Sequence, residues 1–157
     1  MPEHTATATL RDSTLTLARD YAAQEDTLWT FLTEAPLLMQ WSPVNPDRDL
    51  TSPGPAQTQE TPEDEPIDTT VHTVPPPREL AHAWGDDTLE WSIAPTLEGA
   101  TLTLAHRLSD ASPAEAARTA TAWHLCLDDL AEALGIAAPA SDPNALLEFY
   151  ERQLGGA

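Results

Sequence analysis

Alternating apolar and polar residues mark a strand near the start of the chain. In TLTLARDY, residues 14–21, Leu15 and Leu17 share one side and the threonines between them share the other. This two-residue period is typical of a half-buried β-strand. We therefore predict that a strand over 14–21 opens the fold.

Helical spacing of apolar residues follows in QEDTLWTFLTEAPLLMQW, on both sides of Pro36. Proline is tolerated in the first turn of a helix but not in its interior. The segment therefore predicts two short helices, at about 25–33 and 36–41.

The next segment, 42–66, is rich in proline and acidic residues and lacks apolar periodicity. It predicts a long loop with one short edge strand near 56–60. A loop of this length is usually mobile or functional, so it is a candidate cover for a site. Its acidic run EDEP, at 63–66, is interpreted as solvated loop rather than a cation site.

Strand-like alternation returns at 67–74 and continues through two predicted hairpins. The first hairpin turns at GDDT and the second at LEG. The expected cross-strand pairs are Trp84–Leu89, His82–Trp91, Leu80–Ile93, Trp91–Leu104 and Leu89–His106. With these pairs the large apolar residues share one sheet face, together with both histidines. This face is Leu80, His82, Trp84, Leu89, Trp91, Ile93, Leu102, Leu104, His106 and Leu108.

A long helix is predicted after Ser112 and Pro113, which suit the N-cap and the first helical position. Its apolar residues recur every three or four positions and form one stripe. The stripe is Ala116, Ala120, Trp123, Leu127, Leu130 and Leu134. Gly135 ends this helix, and a further amphipathic helix is predicted in DPNALLEFYERQL, ended by Gly155 and Gly156.

This order predicts an α+β fold in which a curved antiparallel sheet wraps around the long C-terminal helix. The two short helices follow the first strand, and 1–157 forms a single domain with a helical extension at 137–157. That arrangement buries every apolar stripe. The alanines of the long helix leave space, so a cavity lined by tryptophans is expected between helix and sheet.

The charge of the chain limits its partners. Its formal net charge is −19, and all seven Lys or Arg positions are arginine, so charge repulsion disfavours phosphate-rich nucleic acids and anionic membranes as partners. The first residues lack a signal-peptide pattern, and no apolar run is long enough to span a membrane. A cytoplasmic protein is therefore expected. The lone Cys126 excludes an internal disulfide and is interpreted as a small buried residue.

His82 and His106 are the candidate acid–base or polar ligand contacts, because both share the inward face with tryptophans. The alternative is that they are core histidines bonded to backbone or water, since no inward carboxylate is apparent to fix a tautomer. His124 and Asp128 are expected to pair on one helix face. Neither metal-ligand spacing nor nucleophile or phosphate-loop motifs occur, so no metal and no cofactor are expected.

Several segments together resemble the START-like or SRPBCC superfamily, and more narrowly its branch of bacterial homologues of activators of heat-shock-protein ATPases. These are LTLARDYAAQEDTLWTFLTEAPLLMQWSP at 15–43, VHTVPPPRELAHAWGDDTLEWSIAP at 71–95, GATLTLAHRL at 99–108 and AWHLCLDDLAEAL at 122–134. The resemblance, of an actinobacterial type, implies a helix-grip fold. Family members include lipid carriers, hormone receptors, polyketide cyclases and self-resistance proteins, so fold does not settle function.

The resulting hypothesis is a monomer or homodimer that binds a small hydrophobic or aromatic molecule as a carrier, sensor or sequestering protein. Packing alone is the alternative explanation for the tryptophans. The expected ligand contacts are Trp41, Trp84, Trp91, Trp123, His82, His106, Leu104 and Leu127. A polyketide cyclase or dehydratase that uses the same cavity is the first alternative, and a chaperone-associated interaction module is the second.

Overall fold

Six antiparallel strands form one curved sheet in the computed structural model, which describes residues 7–59, 63–74, 79–136 and 142–155. The strands are β1 (Thr7–Arg11), β2 (Thr14–Tyr21), β3 (Gln57–Thr58), β4 (Ile67–Asp68), β5 (Val71–Thr73), β6 (Glu79–Trp84), β7 (Asp87–Pro95) and β8 (Ala100–Arg107). The helices are α1 (Glu25–Thr33), α2 (Ala35–Leu38), α3 (Pro113–Ala133) and α4 (Pro143–Gly155). The main sheet has the order β1-β2-β8-β7-β6-β5, and β3 pairs with β4 in a separate sheet.

Helix α3 buries its apolar stripe against the sheet, which confirms the predicted architecture. The Ser112 side chain accepts a hydrogen bond from the backbone N–H of Glu115 and caps the helix, while Gly135 follows its end with a φ of 79°. Both signals were visible in the sequence. The three alanines at the start of the buried face, Ala116, Ala117 and Ala120, are fully buried, so the helix backbone lies close to its neighbours.

The register of the first hairpin differs from the prediction by two residues. Trp84 pairs with Asp87, and His82 pairs with Leu89, because the turn contains only Gly85 and Asp86. Gly85 adopts a φ of 63°, the left-handed conformation that short hairpin turns need to match the strand twist. A shift of two keeps every side chain on its predicted face. The second hairpin has the predicted register, including Trp91 opposite Leu104.

The prediction that the strand at 14–21 opens the fold is wrong, because β1 precedes it. β1 pairs with β2 through a turn at Asp12 and Ser13, which have φ values of 51° and 67°. Positive φ at both positions suits a two-residue hairpin turn. This places β1 at the sheet edge, where α4 packs against it and against α3.

The predicted strand at 67–74 is divided into β4 and β5. β4 pairs with β3, which is the short strand predicted within 56–60, although residue 60 lies outside the described residues. Buried hydroxyls of Thr58 and Thr69 lie 2.8 Å apart and join this small sheet to the turn between β4 and β5. The segment 67–74 therefore contributes one strand to each of the two sheets.

The segment 42–66 is fixed to the body of the protein over its described residues. Val44 and Leu50 are fully buried in the core, and the Leu50 N–H bonds the Thr33 carbonyl at 2.7 Å. The Arg48 guanidinium donates to the backbone carbonyls of residues 49, 52, 54 and 55. Such internal bonding holds the loop in one conformation.

The last helix also follows its prediction over the part that the structure describes. α4 runs to Gly155, whereas Gly156, the residues 137–141 before the helix and the PPP run at 75–77 lie outside the described residues. The division into one domain with a helical extension stays a prediction.

Gly99, in the turn between β7 and β8, offers a test of this packing. A Cβ at this position would overlap the Tyr21 carbonyl oxygen and lie 2.8 Å from the Ala23 nitrogen. We expect G99A to lower the free energy of unfolding by at least about 2 kcal/mol in chemical denaturation, because backbone atoms must move. E98A, at the exposed neighbouring position, is the control. Equal stability of G99A and E98A would contradict the close approach.

Candidate functional site

Three tryptophans form a column between the sheet and the helices. Trp91 of β7 stands between Trp41, which follows α2, and Trp123 of α3. Its ring centroid is 5.6 Å from that of Trp41 and 5.4 Å from that of Trp123, with interplanar angles of 85° and 87°. Edge-to-face contact at these distances is favourable packing between aromatic rings. The indoles therefore occupy the space in which a cavity was expected.

Each indole N–H of this column has an internal acceptor. The Trp41 Nε1 donates to the Phe31 carbonyl at 3.0 Å. Trp91 donates to His82 Nε2 and Trp123 donates to His106 Nδ1, both at 3.0 Å. A buried indole N–H without a partner would be costly, and here none of the three needs a ligand or water.

His82 is a core histidine with both ring nitrogens engaged. Its Nε2 accepts from Trp91, so its Nδ1 carries the proton and donates to the Ala83 carbonyl at 2.8 Å. Burial lowers the pKa of His82 to about 4, although the Ala83 hydrogen bond acts in the opposite direction. The ring is therefore neutral at pH 7 and has one fixed tautomer.

His106 has the opposite tautomer, and a carboxylate fixes it. Its Nδ1 accepts from Trp123, and its Nε2 donates to Asp87 Oδ2 at 2.7 Å. The prediction that no inward carboxylate fixes a histidine tautomer is therefore wrong. Burial lowers the pKa of His106 despite the opposing effect of Asp87. In both histidines the two ring nitrogens have internal hydrogen-bond partners, and the predicted ligand contact stays a prediction.

Asp87 links the hairpin to the start of the α3 region. Its Oδ1 accepts from the Ser109 N–H at 2.9 Å, while its Oδ2 accepts from His106. Burial acts to raise the pKa of Asp87, but the hydrogen bonds from His106 and Ser109 outweigh it and lower the pKa. Asp87 is therefore a carboxylate at neutral pH.

An open cleft of about 350 Å³ lies beside this pair, between the β6–β7 turn and α3. We call it the Trp84 cleft. It is lined by Pro43, Trp84, Asp87, His106, Arg118, Thr119, Ala122, Trp123 and Cys126. A smaller hollow of about 160 Å³ adjoins it and shares Pro43 and Trp84. Trp84 is half-buried, so this indole separates two neighbouring hollows.

The structure brings only part of the predicted site to this cleft. Trp84, Trp123 and His106 line it. The other predicted contacts lie in the packed interior, and their ligand-binding role stays a prediction: Trp41, Trp91, His82, Leu104 and Leu127. Sequence reasoning missed Asp87, although counting back in steps of two from Leu89 places it on the inward face.

A second buried polar group joins α3 to the sheet and to α4. Arg19 of β2 donates to Asp128 at 2.6 Å, and His124 Nε2 lies 3.8 Å from the same carboxylate. The predicted pairing of His124 with Asp128 is therefore confirmed. The Tyr150 hydroxyl is 2.6 Å from His124 Nδ1, so one cluster positions both C-terminal helices.

Cys126 lines the cleft but is a thiol rather than a thiolate. Burial, followed by the charge of Asp129, raises its pKa to about 12. A reactive cysteine needs a lowered pKa. Among the described residues, no three His, Cys, Asp or Glu side chains are grouped to hold a metal ion, and no helix has the length and apolar character to cross a membrane.

Comparison with known families identifies the domain. The family model described as Activator of Hsp90 ATPase homolog 1-like protein matches residues 22–135. The chain belongs to this family. The AHSA1-like match leaves β1, β2 and α4 outside its range. No curated protein sequence matches the chain significantly.

Solved structures share the fold of this AHSA1-like chain at low sequence identity. EF2215 from Enterococcus faecalis, a conserved protein of unknown function, is 17% identical with a TM-score of 0.72, over 94% of this chain and 89% of that chain. CalU16 from Micromonospora echinospora is 17% identical with a TM-score of 0.71, over 96% and 94%. DynU16, from the dynemicin biosynthetic locus, is 20% identical with a TM-score of 0.70, over 85% and 51%. These likenesses establish the helix-grip fold.

The buried state of His82 predicts a specific pH dependence. Its pKa rises from about 4 in the folded state to an ordinary 6.5 on unfolding, so the unfolded chain binds more protons between these values. Its contribution to stability is therefore present above pH 6.5 and lost as the pH falls toward 4. We expect the difference in unfolding free energy between wild type and H82Q to shrink by about 3 kcal/mol from pH 7 to pH 4.

Chemical denaturation across this pH range measures the effect. Taking the difference between the wild-type and H82Q unfolding free energies at each pH cancels the effect of titrating the many acidic residues, because both proteins contain them. H72Q, which makes the same substitution at an exposed position on β5, is the matched control. A difference between wild type and H82Q that stays constant from pH 7 to pH 4 would contradict the buried, neutral ring.

Proposed function

We propose that this AHSA1-like domain binds a small apolar or aromatic molecule in the Trp84 cleft and does not transform it. The observation that carries the proposal is the position of Trp84, which is half-buried between two adjoining hollows and lines the larger one together with Trp123 of α3. An aromatic surface that is left partly open and flanked by a few polar groups is characteristic of small-molecule sites. A carrier, sensor or sequestering role follows from binding alone.

The interior column supports the cleft rather than competing with it. Trp123 packs one edge against Trp91 and also lines the cleft. Its indole N–H is bonded to His106, which Asp87 holds in turn. The cleft wall is therefore fixed before any ligand arrives, which reduces the entropy cost of binding.

Proton transfer by the two candidate histidines is not favoured. A general base needs a free lone pair within reach of its substrate, and both ring nitrogens of His82 and of His106 already have partners. The cyclase or dehydratase alternative would have to break one of these bonds in every turnover. Binding without chemistry needs no such rearrangement.

One structural neighbour supports a small-molecule context. DynU16 comes from a biosynthetic locus, where a helix-grip protein would meet small metabolites. The family description mentions an ATPase activator, but the described surface offers no specific feature in favour of a chaperone partner. Sequestration or transport of a metabolite therefore remains the proposal.

The proposal can be tested by following the indole N–H signals in two-dimensional ¹⁵N–¹H NMR spectra. The chain has five tryptophans, and 2-naphthylmethanol serves as a neutral aromatic probe. We expect the signals of Trp84 and Trp123 to shift on titration, whereas the signal of Trp29 on α1 should not. No shift in any indole signal at millimolar probe would contradict the proposal.

A pair of variants locates the site. We expect W84A to weaken probe binding at least about tenfold in calorimetry, because it removes the largest apolar surface of the cleft. W29A is the matched control, since Trp29 is also half-buried but lies outside the cleft lining. Equal losses in W84A and W29A would place binding elsewhere.

A further inference from the structure

Asp87 is a negatively charged group in an otherwise neutral part of the Trp84 cleft. Its side chain is 20% exposed, and the two groups that bond it, His106 and the Ser109 N–H, are both neutral. Neutral donors stabilise a carboxylate but leave its net charge in place. Two ionised oxygens offer about four acceptor positions, so each oxygen retains capacity for another donor.

The nearest cation of the cleft lining is engaged with a different carboxylate. Arg118 donates from Nε and from one terminal nitrogen to Glu115 Oε1, at 2.9 Å and 2.5 Å. This pair lies one helical turn apart on α3 and is largely exposed. Because Arg118 is paired with Glu115, the negative charge of Asp87 remains available to a cationic ligand.

One tryptophan neighbours this carboxylate directly, and a second is joined to it through His106. Trp84 is the direct cross-strand partner of Asp87, and Trp123 reaches it through His106. Indole faces attract cations through their quadrupole. An ammonium group placed beside Asp87 would thus meet both an ionic partner and aromatic surfaces, while the rest of the ligand lies in the cleft.

The wider charge of the protein acts in the same direction. The formal net charge of −19 raises the local concentration of cations and disfavours anionic ligands. This long-range effect is weakened by salt, whereas a direct contact with a partly buried carboxylate is weakened less. The two contributions can therefore be separated by experiment.

We infer that the Trp84 cleft selects ligands that combine an aromatic or apolar body with a cationic amine, which Asp87 binds. This inference rests on the proposed function, because it names the chemical class of ligand for the same site. Asp87 is a binding residue in this account and not a general base.

Three probes of similar shape test the inference in the full-length protein. They are 2-naphthylmethylamine, 2-naphthylmethanol and 2-naphthylacetate, which are cationic, neutral and anionic at pH 7. In calorimetry at physiological salt we expect the amine to bind at least about tenfold more tightly than the alcohol, and the acetate to bind most weakly. Equal binding of amine and alcohol would overturn the inference and leave the proposed function standing, whereas failure of all three would remove the proposed function.

Variants then assign the selectivity to one residue. D87N should bring the ratio of amine to alcohol affinity close to one, while E90Q should preserve it. E90Q is the matched control, because Glu90 is an exposed residue of the same strand and its replacement removes the same charge. Retention of the full ratio in a folded D87N would overturn the assignment.

A second variant, R118Q, leaves the hydrogen bonds of Asp87 in place. D87N leaves one acceptor oxygen for two donors, the His106 Nε2–H and the Ser109 N–H, so its folding must be checked by circular dichroism. R118Q changes an exposed side chain and removes the only basic side chain of the cleft lining among the described residues. We expect R118Q to raise the ratio of amine to alcohol affinity, and a ratio at or below that of the wild type would contradict the inference.

Discussion

The contact on which this structure depends is the edge-to-face column of Trp41, Trp91 and Trp123. A buried indole N–H without an acceptor is costly, and in this chain two histidines and the Phe31 carbonyl supply the acceptors. Each histidine must then be neutral and must donate its own proton elsewhere, to a carbonyl or to Asp87. Sheet, helix and hairpin are joined by this one set of bonds.

With Trp41 and Trp91 packed in the interior, the tryptophans that line the Trp84 cleft are Trp84 and Trp123. In a helix-grip fold, the space between sheet and helix is available to a ligand only where side chains leave it open. Here the column ends at Trp123, and beyond it lie Trp84, Asp87 and the start of the loop at Pro43. The described part of the segment 42–66 is held by buried side chains and by Arg48, and its Pro43 lines that opening.

Local patterns predicted most of the fold, because periods of two and of 3.6 residues depend only on neighbours in sequence. The register of the first hairpin escaped prediction, since a shift by two residues leaves both faces unchanged. That error hid Asp87, which was assigned to the turn. Spacing also places Trp91 and Trp123 on facing surfaces without fixing their side-chain rotamers. Sequence therefore predicted which aromatic residues converge but not whether they enclose a space or fill it.

The central claim is that two histidines hold fixed and opposite tautomers because each accepts an indole N–H. Nitrogen-15 NMR of the imidazole rings measures this directly at neutral pH. The account predicts the Nδ1–H form for His82 and the Nε2–H form for His106, with slowly exchanging indole protons on Trp91 and Trp123. The account would be contradicted if each histidine exchanged between its two tautomers and the indole protons of Trp91 and Trp123 exchanged rapidly with solvent. Such behaviour would mean that water, and not the histidine, accepts the indole N–H.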